Sequence, residues 1–135
     1  MNPVDETVCS PNYWLSCLII DPEAMCLQVR SETQAMYETE PGKSCPTEIL
    51  AALAAFNAEG RPIWKPMHMQ PIYRMNAFVT AQGNGRGATN AYTAGTGAGD
   101  VGADIFARGL CLPSDNKMTM EQVDRVAEII RRCFD

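Results

Sequence analysis

Residues 61–71 read Arg-Pro-Ile-Trp-Lys-Pro-Met-His-Met-Gln-Pro, and they hold the sole histidine of the chain, one of its three lysines, one of its two tryptophans and three of its nine prolines. The side chains best equipped for chemistry therefore sit on backbone that proline keeps out of the α-helix. Each proline fixes its own φ, gives up an N–H and pushes the residue before it (Arg61, Lys65 or Gln70) toward extended geometry. Such a segment can display an indole, an ammonium and an imidazole along a cleft wall. If it were extended, Trp64, Pro66, His68 and Gln70 would share one face, with Lys65, Met67 and Met69 on the other. The plainer reading is an edge strand with Trp64 buried and Lys65 solvated.

Lys65 is the side chain whose type invites a Schiff base. A nucleophilic amine must be desolvated or set beside another cation to lower its pKa, and Arg61 is the one nearby hint of that. The expected role of Lys65 is thus a surface or substrate-facing one. Lys43 and Lys117 lie in loop-like stretches and have no better claim.

The elements that must position these groups follow an α+β order. Residues 13–20, Tyr-Trp-Leu-Ser-Cys-Leu-Ile-Ile, form an apolar run stopped by Asp21-Pro22, which predicts a strand buried on both faces. Residues 25–44 are polar and mixed and read as a connection. A helix is expected from Pro46 to about residue 58: Glu48 lies near its N-terminus, Ile49, Leu53 and Phe56 on one stripe, and Gly60 stops it. Residues 61–64 follow as a second strand. Residues 110–112, Leu-Cys-Leu, form a short third strand ended by Pro113, with Arg108 before it in a structural or interfacial role.

The C-terminal helix, about 119–134, has the clearest signals. Thr119 and Gln122 make a capping box, and Met118 is placed to staple onto Val123. Val123, Val126, Ala127, Ile130, Cys133 and Phe134 form the apolar stripe, with Glu121/Arg125 and Glu128/Arg132 as i,i+4 pairs on the wet face. Arg131 and Arg132 suit the negative end of the helix dipole.

Between these elements, seven of the ten glycines lie in residues 83–102, so a flexible loop is expected over about 81–102. Within it Gly97-Ala98-Gly99-Asp100-Val101-Gly102 matches G-x-G-x-x-G. No hydrophobic strand precedes the match, and residues 103–107 read as too short for a crossover helix, so no dinucleotide site is assigned.

Composition narrows the function classes. A chain of 135 residues with 46% hydrophobic content makes one domain, 1–135, able to bury a core without staples. The net charge of −5 disfavours nucleic acid and acidic membrane surfaces as partners, since both need a positive footprint. The apolar runs are far short of a membrane span, and the start lacks signal-peptide features, so a cytoplasmic location is expected. The six cysteines, at 9, 17, 26, 45, 111 and 133, show no C-x-x-C pair and no zinc spacing. They read as reduced structural thiols, and no metal is expected.

With both motifs placed, residues 61–71 and then Gly-Leu-Cys-Leu-Pro-Ser (109–114) ahead of a capped helix, the chain resembles the C-terminal small domain of the DegT-type pyridoxal-phosphate aminotransferases that act on nucleotide sugars. The resemblance runs from about residue 13 to 134, and the glycine-rich tract is its departure. It implies a two-layer α+β domain with a short, mostly antiparallel sheet covered by helices. It also implies that the domain closes the substrate cleft of a homodimeric fold-type I enzyme. Trp64, Lys65, His68 and Gln70 are then substrate-binding, toward a keto-sugar nucleotide. The Schiff-base lysine, the acidic partner of the pyridinium and the phosphate cup belong to a large domain. The chain would accordingly be a fragment that binds no pyridoxal phosphate and does not catalyse alone, the amino donor of the whole enzyme being glutamate. The alternative is a non-catalytic binding or dimerisation module derived from such an enzyme.

Overall fold

The protein is described by a computed structural model covering residues 5, 7–12, 14–30, 35–73 and 100–135. Among these residues it is an α+β fold. Strands β1 (Cys17–Ile19), β5 (Gly109–Cys111) and β4 (Arg61–Pro62) form an antiparallel sheet in the order β1-β5-β4. A separate hairpin pairs β2 (Gln28–Arg30) with β3 (Ala35–Tyr37), and the helices are α1 (Pro46–Ala55), α2 (Val101–Arg108) and α3 (Met120–Arg132).

The strand expected first is shorter and wetter than its apolar run suggests. Only residues 17–19 pair, Ile19 is 46% and Trp14 66% exposed, and Ile20 just beyond the strand is the buried one. The reason is its place in the sheet: among the described residues β1 is an edge strand with a partner on one side only. Residues 25–44 are not a plain connection, because they contain the β2/β3 hairpin. Its polar side chains anchor it: Gln28 donates to the Ala107 carbonyl (2.6 Å) and accepts from the Thr47 hydroxyl (2.8 Å). Arg30 donates to the Phe106 carbonyl (2.5 Å) with its guanidinium 4.7 Å from the Phe106 ring centroid.

Helix α1 starts where expected, with Pro46 at its first turn, where a missing N–H costs nothing. It ends earlier than Gly60. Phe56 is the C-cap, 47% exposed and off the buried stripe, and Asn57 turns the chain with φ 58°. Helix α3 carries the expected box: the Thr119 N–H donates to Gln122 Oε1 (2.9 Å) and the Gln122 N–H to Thr119 Oγ1 (3.3 Å). Its most buried side chain is Ile129, absent from the expected stripe, while Val123 is 42% exposed. Glu128 pairs with Arg132 (3.1 Å), but Arg125 donates to the Phe56 carbonyl (3.0 Å) and so ties α3 to the end of α1.

The core is made by Ile20, Ile49 and Leu53 of α1, Leu110 of β5 and Ile129 of α3. Burying one such side chain contributes roughly 1.5–3 kcal/mol. β5 lies at its centre with all three residues buried. Gly109 is required there by space: a Cβ would meet the Ile63 side chain at 2.3 Å and the Ile105 carbonyl at 2.5 Å. The glycine-rich loop expected over 81–102 lies, but for its last three residues, outside the described residues. Those three are ordered into a helix start: Asp100 is the N-cap of α2, its Oδ1 accepting from the Ala103 N–H at 2.9 Å, so α2 exceeds the short element expected after the glycines. No helix among the described residues is long and apolar enough to cross a membrane.

Candidate functional site

The two motifs are neighbours in space. Arg61 pairs with Cys111 and Pro62 with Leu110, so β4 lies beside β5 and the proline-rich segment leaves the sheet from its edge. Beyond β4 the segment does not stay extended. It folds into two 3-10 turns, Met67–Met69 and Pro71–Tyr73, with the Met69 N–H donating to the Pro66 carbonyl (2.9 Å) and the Gln70 N–H to that of Met67 (3.1 Å). The shared face of Trp64, Pro66, His68 and Gln70 is therefore not formed. Proline's restriction holds where it acts directly, at Gln70 before Pro71, which is extended (φ −71°, ψ 139°), but Met67 and His68 precede no proline and are free to turn.

Each candidate side chain has a definite place. Trp64 is not buried: it is 64% exposed and sits against Trp14, with ring centroids 6.0 Å apart and a tilt of 43°. That spacing is the usual one for interacting aromatics, so two indoles make one exposed aromatic surface. Met69 is the residue that buries in this segment. Gln70 Nε2 donates to the Lys65 carbonyl (3.1 Å), which makes Gln70 a brace across the turn. Lys65 is half-buried.

His68 has the partner that sequence reasoning missed. Its Nε2 lies 2.7 Å from Asp100 Oδ2, while Oδ1 of the same carboxylate caps α2. One aspartate thus joins the proline-rich segment to the helix that precedes β5. The link spans 32 residues, and in sequence Asp100 stands inside the glycine-rich tract. Both side chains are largely shielded, at 16% and 21% exposure, so this hydrogen bond fixes the imidazole's orientation. Pro66 packs at the same junction, 3.3 Å from where a Cβ on Gly102 would lie.

Arg108 takes the structural role expected of it. It donates to Asp104 from Nε (2.8 Å) and Nη2 (2.5 Å) and to the Ile20 carbonyl from Nη1, tying α2 to the end of β1. The hydrogen bonds from Arg108 hold the Asp104 carboxyl below the usual carboxylate range.

Two clefts adjoin the segment that follows β5. One of about 520 Å³ is bordered by Glu59, Ser114, Asp115, Lys117, Gln122 and Arg125, among others. The second, about 560 Å³, is lined by Leu18, Leu112, Ser114, Met118, Val126 and Ile130 with their neighbours. Pro113 and Ser114 of the second motif border both, whereas Trp64, Lys65, His68 and Gln70 border neither.

The structure also gathers a group that spacing did not reveal. Cys26, Cys45 and Glu48 are buried with their thiol and carboxylate atoms within 4.8 Å of one another. Glu48 Oε2 accepts from the Ser44 hydroxyl at 2.8 Å and meets the Cys26 thiol at 3.9 Å. Burial, then the hydrogen bond and charge of Cys45, push the Cys26 thiol up to about 12. The carboxylate already has the Ser44 hydroxyl and the Cys26 thiol as donors. The arrangement is that of a satisfied polar core.

No family model matches the chain. Over 89 residues, 66% of its length, the chain is 35% identical to EpsN of Bacillus subtilis (strain 168), whose name makes it a pyridoxal phosphate-dependent aminotransferase. The chain spans about a fifth of that curated relative, 19% of its length. The resemblance carried by the two motifs is matched in kind: this chain is related in sequence to a fragment of a pyridoxal-phosphate-dependent aminotransferase.

Proposed function

We propose that the chain is the small substrate-cleft domain of a DegT-type aminotransferase that acts on keto-sugar nucleotides in the cytoplasm, working as a homodimer with a large domain. The observation that carries this reading is the identity to an aminotransferase over two thirds of the chain, together with the β4/β5 ladder that sets the two motifs side by side. Pyridoxal phosphate in the complete enzyme would supply the electron sink for moving an amino group from a donor, which we take to be glutamate. The contribution of this chain is binding and orientation. Trp64 offers an aromatic plane for the sugar or its base, His68 a hydrogen-bonding group held in register by Asp100, and Lys65 a cation for the diphosphate. Gln70 keeps the turn that presents them.

The lysines support placing the cofactor elsewhere. Lys43 is paired with Glu40 at 2.7 Å, Lys117 is exposed in an open cleft, and Lys65 borders neither cleft. A Schiff-base amine needs desolvation or a neighbouring cation, which the carboxylate-paired Lys43 and the exposed Lys117 lack. The reading as a non-catalytic module is favoured by one feature, the exposed Trp14/Trp64 pair, which would also suit a protein interface.

The test has two arms. The chain alone, titrated with pyridoxal phosphate and treated with borohydride, is expected to give no stoichiometric trapped adduct. A protein joining it to a large domain is expected to convert a keto-sugar nucleotide to its amino sugar. A single trapped adduct on Lys65 would overturn the assignment of the cofactor to another domain. A joined protein that holds the cofactor yet aminates no nucleotide sugar would overturn the substrate class.

A further inference from the structure

Cys17 and Cys111 stand directly opposite each other on β1 and β5. The backbone bonds around them define what kind of pair they are. Leu112 N donates to the Ser16 carbonyl (2.9 Å) on one side, and Ile20 N to the Arg108 carbonyl (3.1 Å) further along. Hydrogen-bonded pairs alternate with non-bonded ones along an antiparallel ladder, so 17/111 falls in a non-bonded position, where the side chains stand closest. The two Sγ atoms are 3.9 Å apart. Cys17 is exposed, whereas Cys111 is 4% exposed behind it. Such a pair has one thiol that a reagent can reach and a second that only its neighbour can reach.

We infer that Cys17 and Cys111 are an oxidisable dithiol, a modification site that reacts with a low-molecular-weight disulfide such as oxidised glutathione and closes a cross-strand disulfide between β1 and β5. The exposed Cys17 gives up its proton and attacks one sulfur of the small disulfide. That S–S bond breaks, and one small thiol leaves carrying the proton. Cys111 then loses its proton to solvent and attacks Cys17 Sγ, and the second small thiolate leaves and takes up a proton. Two protein thiols are thereby oxidised by two electrons, and one small disulfide is reduced to two thiols.

Closing the bond needs the sulfurs to move from 3.9 Å to about 2.0 Å, a matter of side-chain rotation between residues already in register. Burial pushes the Cys111 thiol up to about 11, which makes the second attack the slow step at neutral pH and speeds it in alkali. The other close thiols, Cys26 and Cys45, are 4% and 0% exposed, so a reagent the size of glutathione has no surface thiol to enter through there. The new bond would reinforce the place where Ser16 N already donates to Ser114 Oγ at 2.8 Å, fixing the end of the second motif to the edge strand.

The experiment incubates the reduced chain with oxidised glutathione at mildly alkaline pH and maps the cysteines under non-reducing conditions by mass spectrometry. The expected product is a single Cys17–Cys111 cross-link, reversed by dithiothreitol, with a Tm several degrees above that of the reduced chain. Cys111→Ser is expected to stop at a glutathione adduct on Cys17, and Cys17→Ser to form no cross-link and leave Cys111 unmodified, whatever the exposed Cys9 takes up. Cys17 is exposed, so its variant keeps the fold whatever happens to the other. Unreacted wild type, an adduct on Cys17 beside a free Cys111, or a cross-link mapping first to Cys26 and Cys45 would each overturn the proposal.

Discussion

β5 and the segment that follows its ladder partner β4 have opposite relations to water. All three residues of β5 are buried, and its one non-glycine, non-cysteine member, Leu110, is fully enclosed by the two long helices' core residues. In residues 63–73, by contrast, Trp64 is 64% exposed, Met67 63% and Ile72 79%. Beside the buried Met69, this segment is held by polar bonds: His68 to Asp100, Gln70 to the Lys65 carbonyl, and the backbone bonds of the two turns. One region takes its position from the exclusion of water. The other takes it from a few directed contacts and leaves its large side chains available to a ligand or another surface.

The sharpest break in that comparison is a truncation in the buried strand. Leu110→Ala is expected to lower unfolding stability by about 2–5 kcal/mol, because it removes a fully enclosed side chain from the centre of a core that can only partly collapse. Urea unfolding checks it. A loss below about 1 kcal/mol would mean that β5 is not the centre of the core.

Burial of the same strand should also be visible in its titration. Cys111 is raised from 9.0 to about 11 by burial, then by its hydrogen bond and charge interaction with Cys17. The folded state therefore holds a proton that the unfolded chain gives up first. The contribution is fully present below about pH 9 and is lost as pH rises through about 11. The slope approaches about 1.4 kcal/mol per pH unit inside that window. Urea midpoints of the reduced wild type should fall more steeply with pH than those of Cys111→Ala. Parallel lines would show that the Cys111 thiol is not held protonated by the fold.

What was legible in the sequence follows the same division. The capping box of Thr119 and Gln122 and the proline at the start of α1 were readable because both work within one turn of helix. The strand expected at 110–112 was readable to within one residue, as Gly109–Cys111, because a short apolar run between glycine and proline has few other fates. The hairpin at 28–37 was not, since its stability rests on Gln28 and Arg30 reaching carbonyls of α2, which no local pattern encodes. Of the candidate site, the residue types were legible and their arrangement was not. Asp100 was hidden among glycines, the turn at Met67–Met69 replaced an expected extended face, and the contact of Trp64 with Trp14 joins residues fifty positions apart. Strand register likewise put Cys17 against Cys111, a pairing that spacing alone leaves open.

The smallest expected stability effect is the most informative about the proline-rich segment. Trp64→Ala removes one ring of an exposed pair, so its cost to the isolated chain should stay within about 0.5 kcal/mol, where truncating a buried aromatic would cost about 3–5 kcal/mol. His68→Ala should also cost little, because it removes one side-chain hydrogen bond, worth roughly 1 kcal/mol, and Asp100 still caps α2 through its other oxygen. In a protein joined to a large domain, both substitutions should nonetheless lower kcat/KM for the nucleotide sugar. Stability and turnover would then separate at these two positions and move together at Leu110. A urea midpoint for Trp64→Ala as low as that of Leu110→Ala would make the Trp14/Trp64 contact part of the core, and the segment would no longer be a face set aside for binding.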